Sequence, residues 1–249
     1  MSEVVAGRRT AESNVSTDLE KNAYDEEHFS KHTPGYLRRE FAMKVLSIVG
    51  MKLLVSFGFM LFVNNVDSLK EFFSENPWPG VVGLIAFFVI SFAVQCEASW
   101  IYHSVNAFFT LFTMTICMSL FLATLCARIY PVELLILVGV LVLLLTSLLF
   151  IAMCSAVDFL SYALFGYVFF ISTCLLGIAA IIFNNRAFGV LISVLLAMFM
   201  SFCILLDIQL IVDGRSHIWT IDQYAQASIC LYSDICMLFF DIVTIAKSK

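Results

Sequence analysis

Two stretches at the end of the chain decide its fold: FGVLISVLLAMFMSFCILLDIQLIV, Phe188 to Val212, and YAQASICLYSDICMLFFDIVTIA, Tyr224 to Ala246. Each is long and apolar enough to cross a bilayer as a helix. Each also carries one carboxylate away from its ends, Asp207 in the first and Asp234 in the second. A carboxylate at membrane depth costs several kcal/mol unless it is paired, protonated or wetted, so its presence signals function. Counting residues at helical rise puts Asp207 about 8 Å and Asp234 about 10 Å from the same membrane face. Antiparallel packing across the short polar loop between the stretches then sets the two carboxylates opposite each other. Thr220 and Gln223 form a T-x-x-Q capping box that predicts where the last helix begins.

Working outward, the 249 residues are 61% hydrophobic and only 13% charged, about half the charged fraction of a soluble domain. This is the composition of an all-α, polytopic membrane protein whose main partner is the lipid bilayer. Seven apolar segments have spanning length: about residues 43–63, 80–98, 104–127, 132–153, 160–183, 188–212 and 224–246. Short connections between them predict a compact seven-helix bundle over 36–249. The longest connection, Asn64 to Pro79, is read as a loop that turns at Asn76-Pro77-Trp78-Pro79. Residues 1–35 are polar and without periodicity and read as a disordered tail. The cluster Arg38, Arg39 and Lys44 before the first segment predicts a cytosolic N-terminus.

Composition also excludes. No basic patch exists, which argues against nucleic acid as a partner. The eight cysteines are scattered singly and read as small buried hydrophobes, and the four histidines lack ligand spacing, so no metal cofactor held by Cys or His is expected. Glu97, Glu133 and Asp158 lie at segment ends, where a solvated carboxylate costs little. Asp241, two turns beyond Asp234, either extends a polar track or is wetted near the helix end. Lys52 lies about 12 Å along the first helix from Lys44. Its ammonium either snorkels back to the interface or faces the bundle as counter-ion to the acidic pair.

The run LLDIQLIVDGRSHIWTIDQYAQASICLYSDICMLFFDIV resembles the C-terminal signature of the transmembrane BAX inhibitor motif family, in particular its Lifeguard branch. The matching positions are Asp207, Gln209, Leu210, Tyr224, Leu231, Tyr232, Asp234 and Ile235. LRREFAMKVLSIVGMKLLVSFG, Leu37 to Gly58, is similar to the start of the family's first helix, and Val157-Asp158-Phe159 to its Asp-Phe between helices four and five. The resemblance implies a non-enzymatic Ca²⁺ leak in endoplasmic reticulum or Golgi membranes, with the plasma membrane as the other address. It further implies an aspartate pair on helices six and seven as pH sensor, and restraint of cell death through Ca²⁺ or cell-death regulators as partners. Asp207 and Asp234 are then the sensor and the transient ligands of a permeant calcium ion, with Gln209, Tyr232, Asp241 and Lys52 in second rank around them.

The residues themselves agree with that chemistry. Two close carboxylates cannot both ionise cheaply and titrate in coupled steps, and carboxylate oxygens suit a hard cation such as Ca²⁺. Two departures from the family pattern are visible. CEASWIYHSVN, Cys96 to Asn106, lacks the arginine cluster that follows helix two, and Ile208 replaces the threonine after the aspartate. Two alternatives remain beside the channel reading. Intramembrane aspartyl proteases also use aspartates on adjacent helices, but their Gly-x-Gly-Asp and Pro-Ala-Leu motifs are not found here. A non-conducting membrane scaffold binding cell-death regulators is the other.

Overall fold

The structure, a computed structural model, describes residues 35–96, 104–154, 159–183, 186–213 and 223–247. Among these residues there are eight α-helices and no strand. They are α1 (Gly35–Asn65), α2 (Asp67–Glu75), α3 (Trp78–Cys96), α4 (Ser104–Cys126), α5 (Pro131–Cys154), α6 (Ala163–Phe183), α7 (Arg186–Asp213) and α8 (Tyr224–Lys247), with a 3₁₀ turn at Phe159–Tyr162 before α6. Seven of the eight cover the apolar segments read from the sequence. Five are long and apolar enough to cross a membrane, or six if the bent pair Asp67–Glu75 and Trp78–Val94 counts as one span; Ala163–Gly177 forms a shorter apolar helix.

The eighth helix, α2, occupies the connection that the sequence suggests is a loop. Leu69 and Phe73 stand one turn apart and pack with Val63, Ala123 and Ala127, while Asp67, Glu71 and Glu75 face outward. Nine residues cannot span a bilayer, and α2 meets α3 at 74° across the Pro77 break. Arg128 donates to the Ser74 carbonyl at 2.7 Å, and Lys70 to that of Ile129 at 3.5 Å. Lys247, at the end of α8, donates to the Leu125 carbonyl near the end of α4. The ends of α2, α4 and α8 therefore share one side of the bundle, held by cations on carbonyls at helix C-termini.

α8 is the central post. It packs against α7, α1, α4 and α5, and Leu231, Tyr232, Cys236, Leu238, Phe239 and Val243 on it are fully buried. α6, by contrast, packs mainly against α7 and the 3₁₀ turn among the described residues. Its Leu164 and Phe165 are 75% and 80% exposed, and α5 presents Val132, Leu135 and Leu143 in the same way. An apolar surface of this extent on the outside of a bundle is covered by lipid rather than water. α3 comes close to α4 because of its glycines: a Cβ on Gly83 would lie 2.5 Å from the Cys117 carbonyl oxygen. Such close approach through small residues is how membrane helices gain packing without a hydrophobic driving force.

Candidate functional site

α7 and α8 form one of the most extensive helix pairs in the bundle, and Asp207 stands on one and Asp234 on the other. Asp234 is within electrostatic reach of Asp207, and both are within reach of Cys203 of α7 and Cys230 of α8. Asp207 Oδ2 is buried and has no hydrogen-bond partner. Its free lone pairs can accept a proton, a hydroxyl or a cation. No three His, Cys, Asp or Glu side chains converge as a metal set among the described residues. The two carboxyls therefore stand without a third such ligand among the described residues.

Gln209 sits two residues after Asp207, about 200° around the helix, and so points elsewhere. Its Oε1 accepts the Phe159 N–H at 3.0 Å. This bond ties α7 to the turn that opens α6. Gln209 therefore orients the helix that carries Asp207. Asp241 is 4% exposed, so solvent at the helix end does not wet it. It lies seven residues past Asp234, on the same side of α8 and about 10 Å further along.

The opposite face of α8 carries a second polar seam. The Tyr232 and Ser56 hydroxyls lie 2.6 Å apart, and Ser119 Oγ is 3.1 Å from Ser56 Oγ and 2.6 Å from the Thr115 carbonyl oxygen. Ser119 Oγ can give its one proton to Ser56 Oγ or to the Thr115 carbonyl, the Tyr232–Ser56 bond can run in either direction, and Cys236 is a further side-chain partner of the Tyr232 hydroxyl. All three residues are buried, Tyr232 and Ser56 completely. The seam stitches α8 to α1 and α4 at one level.

Lys52 belongs to this second face. It is 5% exposed, and its Nζ stands 4.1 Å from the centroid of the Tyr232 ring. The snorkelling expected from its long stem does not occur, because the ring and the α1–α4 contact hold it inward. Nor does Lys52 join the aspartates: its Nζ has no hydrogen-bond partner, and an ion pair is formed by Lys44 with Glu40, not by Lys52 with Asp207 or Asp234. Tyr232 and Asp234 are two residues apart and project about 200° from each other, which places the ammonium and the carboxylates on different sides of α8. The counter-ion role read from the sequence is therefore not realised in this arrangement. A cation–π contact of this kind is worth about 2 kcal/mol when desolvated, less than full burial of a charge costs.

Glu133 lies in the exposed first turn of α5, as an end-charge should. Glu97, Asp158 and the Thr220 cap fall outside the described residues, as does most of the stretch where the arginine cluster is missing. The hydroxyl seam was not visible beforehand, since single serines inside apolar runs carry no pattern. The family model described as "Inhibitor of apoptosis-promoting Bax1" matches residues 38–249, which takes in every helix that builds the site. The chain belongs to that family, Bax1-I.

Proposed function

We propose that this protein is a pH-sensitive calcium-leak channel of the endoplasmic reticulum or Golgi membrane, of the Lifeguard-like branch, that lowers stored calcium and so restrains apoptosis. It crosses the bilayer seven times, with α2 lying along the interface and the N-terminal tail, residues 1–35, in the cytosol. Calcium is the permeant ion and no cofactor takes part. What supports the reading is that Asp207 and Asp234 stand on the packed helices α7 and α8 within electrostatic reach, with an Asp207 oxygen buried and without a hydrogen-bond partner among the described residues. Ionised, the pair offers oxygens to a divalent cation; protonated, it does not. Acidification therefore closes the path.

Purified protein in liposomes holding a calcium dye tests this. Flux should fall as pH is lowered, and flux indifferent to pH would remove the sensor. A glycosylation reporter on the N-terminus should stay unmodified; its modification would overturn the orientation without touching the chemistry.

A further inference from the structure

A groove of 240 Å³ runs between α1 and α4, lined by Met51, Lys52 and Val55 on one side and Phe108, Leu111 and Phe112 on the other. Met51, Phe108 and Phe112 are 66%, 65% and 52% exposed, so the groove opens sideways into lipid. Its walls are apolar, and the Phe108 and Phe112 rings lie parallel, 6.2 Å apart. Lys52 is the charged residue among those lining it. Its ammonium is buried and finds neither an acceptor nor an anion among the described residues.

We propose that this groove binds a long-chain fatty acid, the acyl chain lying along the aromatic wall and the carboxylate pairing with Lys52. A buried ammonium without an anion calls for one, and the bilayer, onto which the groove opens, is where it can come from. The anion must bring its own apolar tail, because every other lining side chain apart from Thr115 is apolar. It must also leave the headgroup layer: Lys52 lies about 12 Å along α1 from Lys44, whose exposed ion pair with Glu40 marks the interface. A single-chain carboxylate can be drawn to that depth; a two-chain phospholipid would have to carry a phosphate and its headgroup with it. Lys52 already lines the groove, and turning the terminal torsions of its side chain moves the ammonium from the Tyr232 ring to the bound head. Tyr232 then loses its cation while keeping its hydroxyl bond to Ser56. This site stands apart from the aspartate pair and does not depend on calcium transport.

The full-length protein in lipid nanodiscs would be photolabelled with a diazirine-bearing palmitic acid and the adducts mapped by peptide mass spectrometry. Adducts are expected at Met51, Phe108 or Phe112, with palmitate competing about tenfold better than hexadecanol. Lys52→Met should erase the preference for acid over alcohol, and Lys52→Arg should keep it. Leu111→Trp, which fills the groove, should abolish labelling of these residues while the melting temperature shows that the bundle still folds. Equal competition by acid and alcohol in the wild type, or adducts spread over the lipid-facing sides of α5 and α6, would overturn the proposal.

Discussion

Removing the Ser56 hydroxyl should cost more than removing that of Tyr232, although the two share one bond of 2.6 Å. In Tyr232→Phe, Ser56 still accepts from Ser119, and the ring remains under the Lys52 ammonium; the loss of the tyrosine hydroxyl costs about 1 kcal/mol. In Ser56→Ala, the buried Tyr232 hydroxyl keeps the weaker Cys236 thiol as partner, and Ser119 loses its neighbour as well. A buried hydroxyl left under-satisfied costs about 1 to 3 kcal/mol. For a chain of this size each kcal/mol moves the melting temperature by about 2 to 4 °C. Thermal unfolding in detergent should therefore show a drop of several degrees for Ser56→Ala and a smaller one for Tyr232→Phe. The double variant should fall short of the sum by about 0.6 kcal/mol, and by no more than about 1.7, the mean and maximum found for side-chain hydrogen bonds inside membranes. Strict additivity, or a costlier Tyr232→Phe, would refute the central place of Ser56 in the seam.

Three further outcomes follow from the packing. Gly83→Ala would push a methyl group to 2.5 Å from the Cys117 carbonyl oxygen, a backbone atom that cannot step aside; the α3–α4 contact should weaken by about 1 to 3 kcal/mol, read as a lower melting temperature. Gln209→Leu leaves the Phe159 N–H without its acceptor, and hydrogen exchange should rise at that amide while α8 stays protected. Lys52→Met deletes a buried, unpartnered charge and should leave the melting temperature unchanged or raise it; a fall of more than a few degrees would mean that the Tyr232 contact outweighs the burial cost.

Asp207 and Asp234 stood out in the sequence because a carboxylate inside an apolar run is conspicuous, and the structure sets both within long helices that pack together. The seven helical segments were legible for the same reason: apolar length is a property of the chain alone. The face each helix presents was less so. Lys52 could be placed in depth by counting from Lys44, but whether it meets Asp234 or Tyr232 depends on how α1 and α8 are rotated against each other, which packing sets. Ser56 and Ser119 sit 63 residues apart in different helices and join only through that packing. α2 left a faint mark, Leu69 and Phe73 at helical spacing, which the prolines at 77 and 79 and the surrounding charges disguised as a loop.

The most direct test of the account is calcium flux through liposomes carrying wild type, Asp207→Asn or Asp234→Asn, each measured at neutral and at acidic pH. Asparagine keeps the size of the side chain and removes the ionisation. On the proposal that the pair acts as one unit, either substitution should lower flux at neutral pH and flatten its fall on acidification. Flux and pH profile unchanged in both variants would contradict the claim that Asp207 and Asp234 together gate a cation path.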